Sequence, residues 1–178
     1  SPTDMGVNML GFCMSDEDVC CNAAREEIIR RYYYALCNLA EKGNNENEVN
    51  KISLILKQAK LTTEYRRTTV AARERKELYG VPTAAIELQD GTIITSMTSS
   101  LLGPSAALIL NATKHLAGIP HNVKLIPEEM IAPIQKTKVS FLHGHNPRLH
   151  TDEVLVAISM LSIHDENCRK ALEQLPKL

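Results

Sequence analysis

Asp90 and Gly91 lie between two short runs in which apolar and polar residues alternate, and this pattern constrains the fold more than any other part of the sequence. The first run covers residues 83–89. The second, residues 92–98, is rich in β-branched side chains. Asp-Gly pairs tolerate the positive φ angles of tight turns, so the pattern predicts two antiparallel strands joined at Asp90 and Gly91.

Capping signals predict a long helix near the start of the chain. Ser15 is followed by three acidic residues, which is typical of a helix N-terminus with a capping serine. The helix is expected over residues 16–42, and Gly43 ends it.

Two more helices are predicted before the hairpin, over residues 47–60 and 69–79, with a short helical stretch between them that Thr62 or Thr63 can cap. Gly80 supplies a stop signal. The composition then changes to alternating segments. We therefore expect a helical subdomain over residues 1–80 and an α/β subdomain over residues 81–178.

Helices and short strands alternate in the prediction for the second subdomain. Pro104 suits the first position of a buried, apolar helix over residues 104–117. Short apolar runs at residues 123–126 and 139–142 are candidate strands, and the helix between them is expected to be interrupted at Pro133. Two further helices close the chain. This order indicates the α/β fold class.

The chain has 178 residues, with 20 Lys plus Arg and 21 Asp plus Glu, so its net charge is −1. This balance gives no electrostatic basis for general binding of nucleic acids or membranes, and neither partner is expected. The five cysteines are odd in number and irregularly spaced, which favours free thiols in a reducing cytoplasm. The longest apolar run, residues 106–110, is too short to span a membrane. No cofactor is expected.

The densest cluster of polar side chains covers residues 143–153. Its histidines match no strong zinc pattern, so no metal site is expected. A turn at Asn146 and capping by Thr151 would explain the cluster structurally. Alternatively, Arg148 and the free N–H groups of the following helix could bind an anion, although two acidic residues already stabilise that helix end.

Small hydroxyl residues and a glycine precede the apolar helix, at residues 98–105. Backbone N–H groups at such a helix start could hold a phosphate or a carboxylate, and ordinary capping is the alternative. The segment lacks the G-K-[ST] sequence of a Walker loop.

We expect these two stretches to line one cleft that binds a small anion, such as the phosphate group of a nucleotide. The expected anion-binding residues are Ser99, Ser100, Asn146, Arg148 and His150. Arg148 would clamp the anion, and His150 could transfer a proton because imidazole titrates near neutral pH.

A basic cluster precedes the hairpin and consists of Arg66, Arg67, Arg73, Arg75 and Lys76. Glutamates are interleaved with these residues. This mixture favours a solvated helix face over a binding surface.

Several segments resemble the uncharacterised bacterial family known as domain of unknown function 1846. They extend over essentially the whole chain, at residues 1–8, 27–32, 84–88, 90–93, 98–103, 145–153 and 171–178. The resemblance implies that the chain corresponds to the C-terminal part of a longer protein, whose N-terminal domain would be a partner. No catalytic residue is established for the family, so the resemblance transfers none, and whether the chain is an enzyme stays open.

The resemblance also implies a helical subdomain followed by a three-layer α/β/α unit with cytidine-deaminase-like topology. Zinc deaminases use H-x-E and P-C-x-x-C at two helix starts. The corresponding junctions, residues 103–106 and 147–151, contain no cysteine, so we expect a deaminase-like scaffold without zinc. The competing hypothesis is a non-catalytic assembly module, which forms a homo-oligomer or covers the N-terminal domain and exposes an apolar patch.

Overall fold

The computed structural model describes residues 16–43 and 46–178. The chain divides into two compact units, Ser1–Arg66 and Arg67–Leu178. The subdomain boundary predicted at residue 80 lies one helix after this division, so the helix before the hairpin belongs to the second unit.

Unit 1 contains two helices, α1 (Glu17–Lys42) and α2 (Glu46–Gln58), and a single 3₁₀ turn at Thr63–Tyr65 in its described residues. The two helices pack against each other. Their buried side chains are Ile29, Ala35 and Leu56.

Both ends of α1 have the expected capping geometry. The carboxylate of Asp16 accepts a hydrogen bond from the N–H of Val19 at 3.0 Å, so Asp16 is the capping residue. The predicted cap, Ser15, lies outside the described residues. Gly43 has a left-handed φ of 68° and ends the helix as predicted, because glycine adopts this conformation without steric cost.

Unit 2 begins with helix α3 (Arg67–Tyr79), which is followed by strands β1 (Thr83–Glu87) and β2 (Ile93–Met97). The strands pair antiparallel, with Thr83 opposite Met97. The predicted hairpin is therefore confirmed.

The hairpin turn is longer than the Asp-Gly pair alone suggests. The N–H of Leu88 donates to the carbonyl of Thr92 at 2.9 Å, which leaves three residues in the loop. Among them Gly91 has a positive φ, 82°, whereas Asp90 does not. Three-residue hairpin loops commonly place glycine at this position.

Helices contact both faces of the hairpin. The hydroxyl of Thr83 donates to the carbonyl of Ala72 in α3 at 2.6 Å. Ser96 lies on the opposite face, because it is next to Met97, the partner of Thr83. Its hydroxyl donates at 2.6 Å to the carbonyl of the first residue of helix α4 (Pro104–Leu116). The fold is thus a mixture of helices with a two-stranded sheet in the described residues, and the cytidine-deaminase-like topology stays a prediction.

The strand predicted at residues 123–126 is wrong, because this segment is irregular. Side chains replace the missing strand partner. The ammonium of Lys114 donates to the carbonyl of Val123 at 3.1 Å, and the thiol of Cys168 donates to that of Leu125 at 3.1 Å. These bonds satisfy carbonyls that would otherwise be buried without partners.

Residues 128–141 are helical throughout. Helix α5 (Glu128–Lys136) passes through Pro133 and widens into a π-helical turn at Thr137–Phe141. The predicted interruption at Pro133 and the predicted strand at residues 139–142 are therefore both wrong. A four-residue apolar run does not distinguish a strand from a helical segment, and this one is helical.

Helices α6 (Thr151–Leu161) and α7 (Glu166–Leu172) complete unit 2. Both pack against α4 and against each other. The core of the unit lies between them, and its members include Ala106, Leu110, Leu149, Val154, Ile158, Cys168 and Ala171. Over the described ranges, no helix combines the length and the hydrophobicity needed to cross a membrane.

Candidate functional site

A short parallel pairing between Leu102 and Leu149 brings the two predicted site stretches together. The N–H of Leu149 donates to the carbonyl of Leu101 at 2.9 Å, and the N–H of Gly103 donates to the carbonyl of Leu149 at 3.0 Å. Leu149 is fully buried. Because the paired segments run in the same direction and each continues into a helix, α4 and α6 start side by side.

The two helix starts enclose a hollow of about 460 Å³, which we call the helix-start hollow. Of the five predicted residues, Asn146, Arg148 and His150 line it, whereas Ser99 and Ser100 do not. The hydroxyl groups in its wall belong to residues of the two predicted stretches that were not among the five expected residues. The remaining lining residues are Thr98, Ser105, Thr151, Pro82, Gly103, Pro104 and Ala106, so the lining contains no carboxylate.

Ser99 and Ser100 contribute hydrogen bonds around the hollow through their carbonyls. The Nε of Arg148 donates to the carbonyl of Ser99 at 2.6 Å. Gln135 donates from Nε2 to the carbonyl of Ser100 at 3.3 Å. The first bond fixes the guanidinium of Arg148 and leaves its two terminal amino groups as donors for a ligand.

The side chains of Asn146 and His150 are hydrogen-bonded to each other. The Oδ1 of Asn146 accepts from the N–H of Arg148 at 3.1 Å, so the amide group of Asn146 points its Nδ2 at His150. This Nδ2 lies 3.0 Å from Nε2 of His150, so the two side chains are hydrogen-bonded, and the tautomer of the imidazole sets which of them donates.

Glu153 and Lys138 stabilise the start of α6 through hydrogen bonds. The sequence did not predict this role for either residue. An oxygen of Glu153 accepts from the N–H of His150 at 2.7 Å and from Nζ of Lys138 at 2.9 Å. Lys138 also donates to the carbonyl of Arg148 at 2.9 Å. Burial alone would raise the pKa of Glu153, but these two hydrogen bonds outweigh burial and hold its pKa below the ordinary value.

The helix cap differs from the one expected. Thr151 was the predicted capping residue, but it is the first residue of α6 and His150 occupies the capping position. The sequence contained a signal for the alternative, because an acid three residues after the cap can bond back to the cap's N–H. Glu153 makes this bond.

The histidines of the polar cluster do not converge on a common point. Within residues 16–43 and 46–178, no three His, Cys, Asp or Glu side chains form a group that could hold a metal ion. His143 and His145 are exposed, and His150 is bonded to Asn146.

Two family profiles together match nearly the whole chain. The profile of the N-terminal domain of DUF1846, a domain of unknown function, matches residues 1–60, and that of the C-terminal domain matches residues 64–178. The chain belongs to the DUF1846 family. The resemblance found in the sequence is thereby confirmed, and the junction between the two DUF1846 matches lies close to the division between the units at Arg66.

Relatives of this DUF1846 chain occur in several bacteria. UPF0371 proteins from Corynebacterium urealyticum and Corynebacterium diphtheriae are 48% and 47% identical to it over 178 residues. A UPF0371 protein from Streptococcus sanguinis is 42% identical over the same length. The alignments cover 100% of this chain but 36% of each relative, so the chain spans about a third of the length of these proteins.

Proposed function

We propose that the helix-start hollow binds a small phosphorylated anion, such as the phosphate group of a nucleotide, without zinc chemistry. One observation carries this proposal. The pairing of Leu102 with Leu149 surrounds a single hollow with two helix N-termini, Arg148 and His150, and no carboxylate lines it.

The chemistry of the wall suits an anion. The first N–H groups of each helix have no partner within the helix and carry partial positive charge, so two such ends favour a negative ligand. The guanidinium of Arg148 adds a planar pair of donors that matches two oxygens of a phosphate. A hollow of about 460 Å³ is within the size range of sites for small molecules.

The acidic residues near the start of α6 do not oppose this proposal. Glu153 is already engaged by Lys138 and by the N–H of His150, so its charge is compensated locally. Asp152 is exposed and lies outside the lining. His150 is the residue we expect to move a proton if the bound molecule reacts.

The scaffold we propose for this site is deaminase-like in topology but has no zinc. Two parallel helix starts at residues 103–106 and 147–151 support the analogy, and neither junction contains the cysteines of a zinc deaminase. We also propose a cytoplasmic location, which the free thiols of Cys20, Cys21, Cys37 and Cys168 support.

Calorimetric titration of the full chain with inorganic phosphate and with AMP tests the anion proposal. Arg148→Ala removes the guanidinium, and we expect it to weaken binding by about tenfold or more, as loss of a charge-assisted hydrogen bond does. Arg169→Ala is the matched control, because Arg169 is exposed and lies outside the hollow. Equal affinities for the wild type and Arg148→Ala, or no binding of either probe, would refute the proposal.

A second candidate function, assembly, is favoured by an apolar stripe on the outer side of α6. Val156, Met160 and Ile163 follow one another at helical spacing and are 61%, 67% and 74% exposed. Together with Leu155 and Ser159 they line a shallow depression. Exposed apolar surface of this kind is typical of contact surfaces between proteins. We propose that a second copy of the chain covers the stripe; the alternative occupant is the N-terminal domain of a longer protein.

Sedimentation of the full chain over a range of concentrations tests the assembly function. We expect Met160→Glu to shift the chain towards monomer, because a charge on the stripe would have to be buried. Gln89→Glu adds the same charge at an exposed position in the hairpin loop and is the control. A wild-type chain that stays monomeric at all concentrations would contradict self-association through this stripe.

A further inference from the structure

A second hollow of about 540 Å³ lies along β2 and is lined by side chains from α3 and α4. We call it the strand-edge hollow. It shares no lining residue with the helix-start hollow. The polar side chains in its wall are Arg75, Asn111, Lys114, His115 and His121, together with residues of β2.

The unpaired edge of β2 faces this hollow. The N–H of Thr98 donates to the carbonyl of Pro82 at 2.9 Å, which sets the phase of bonding across the hairpin. Backbone groups of an antiparallel strand point alternately towards the partner and away from it. Those of Ile93, Thr95 and Met97 therefore point away from β1, towards the free edge.

A hydrogen bond from Asn111 agrees with this orientation of the Thr95 backbone. Its Nδ2 donates to the carbonyl of Thr95 at 3.2 Å, across the edge of the strand. Among the described residues, the N–H of Thr95 has no such partner. The edge thus offers the hollow a backbone donor next to the side chains of α4.

Arg75 brings an unused donor to the same hollow. Its Nε is buried and has no hydrogen-bond partner among the described residues. Its guanidinium carbon lies 5.2 Å from the centre of the Tyr79 ring, so the side chain is held over the aromatic face. This Nε is too buried for a ligand to reach, so a bound anion would contact the two terminal amino groups of the guanidinium, which have no hydrogen-bond partner among the described residues.

Lys114 adds a buried positive charge on the other side of the hollow. It is 8% exposed, and its Nζ donates to the carbonyls of His121 and Val123 at 2.8 and 3.1 Å. An ammonium has three donors, so one remains. Both of its partners are neutral carbonyls, and its charge is not balanced by a carboxylate in the lining.

We propose that the strand-edge hollow is a separate binding site for the phosphoryl group of a small molecule. Arg75 and Lys114 supply the charge, Thr95 supplies a backbone donor, and His115 and His121 extend the polar wall. Asp90, which interacts electrostatically with His115, lies outside the lining, and the lining contains no carboxylate. The apolar side chains of Ile93 and Ile119 leave room for an uncharged body next to the phosphate.

Side-chain NMR of the full chain provides the test. The Nε–H resonance of Arg75, assigned by its loss in Arg75→Gln, should move when inorganic phosphate is added at constant ionic strength. In the variants, the backbone N–H resonance of Thr95 reports on the same hollow. It should show that Arg75→Gln weakens phosphate binding by about tenfold or more, as loss of a charge-assisted bond does, and that Arg75→Lys restores part of it. Lys76→Gln, at an exposed position of the same helix, is the control and should bind as the wild type does.

The two proposed sites give separate outcomes. Arg148→Ala should leave the phosphate response of the Arg75 resonance intact, and Arg75→Gln should leave binding at the helix-start hollow intact. An Arg75 resonance that does not respond to phosphate in the folded wild-type chain would overturn the proposal. A response that sodium chloride reproduces equally would also overturn it, because it would reflect screening alone.

Discussion

The guanidinium of Arg148 is fixed to the carbonyl of Ser99 by a 2.6 Å hydrogen bond, although the two residues are 49 positions apart. This bond uses Nε and leaves the terminal amino groups of Arg148 for a ligand. Lysine has neither the fork nor the Nε group. Arg148→Lys should therefore weaken phosphate binding by about tenfold in calorimetry, despite the retained charge. An affinity equal to that of the wild type would mean that charge alone is needed.

Ser99 is expected to stabilise the loop that carries this carbonyl. Its hydroxyl oxygen accepts from the N–H groups of Leu101 and Leu102 at 3.2 and 3.0 Å. Ser99→Ala should lower the free energy of unfolding by about 1 kcal/mol, as loss of a hydrogen bond typically does. Ser100→Ala is the neighbouring control and should change the free energy by less than about 0.5 kcal/mol. Urea denaturation measures both, and equal effects would contradict the role of Ser99.

Glu153 should make the free energy of unfolding of unit 2 decrease at acidic pH. Its pKa is lower in the folded state than in the unfolded chain, because the hydrogen bonds from His150 and Lys138 outweigh the effect of burial. A carboxyl with a lowered pKa stabilises the fold above its unfolded pKa, and this contribution is lost as the pH falls through the folded value.

Glu153→Gln therefore should destabilise the protein at neutral pH by about 1–2 kcal/mol, the scale of a hydrogen bond to a charged group. The difference from the wild type should shrink at an acidic pH below the lowered folded-state pKa of Glu153, where the carboxyl is protonated in both states. Denaturation at the two pH values measures this, with the exposed Glu173→Gln as the control. A difference that stays constant with pH would rule out the charge of Glu153 as its cause.

Cys168 should be the least reactive thiol among the described cysteines. It is 1% exposed, and burial, with a smaller contribution from Asp165, raises its pKa to about 11. Thiolate is the reactive form, so little is available at pH 8. Iodoacetamide followed by peptide mass spectrometry should label Cys20, Cys21 and Cys37 first and Cys168 only after unfolding. Labelling of Cys168 in the native protein at the same rate would contradict its burial.

The parts of the fold that local signals control could be predicted from the sequence. Gly43 and Gly80 end helices, Pro104 begins one, and Gly91 makes the turn of the hairpin. Each of these residues acts on the backbone next to it. The position of such an element therefore follows from a few neighbouring residues.

The failures involve contacts between distant segments. Residues 123–126 look like a strand, but Lys114 and Cys168 satisfy their carbonyls, and no short-range pattern reveals such donors. In retrospect, a lysine in the largely apolar and buried α4 was a signal that a buried acceptor lay nearby.

The candidate site was only partly predicted, because one side of it also depends on contacts between distant segments. Asn146, Arg148 and His150 belong to one local cluster, and they do line the helix-start hollow. The wall opposite them depends on the pairing of Leu102 with Leu149, which decides that Thr98 rather than Ser100 faces the hollow. Arg75 gave no signal of its own, because the surrounding glutamates made it resemble a solvated residue.

The pairing of Leu102 with Leu149 leaves a single residue between each paired leucine and the first residue of its helix. The spacer residues, Gly103 and His150, have extended backbones, so a residue inserted on either side would lengthen that spacer by up to about 3.3 Å and shift one helix start relative to the other. A change in the length of either spacer would therefore separate the two helix starts that form the helix-start hollow.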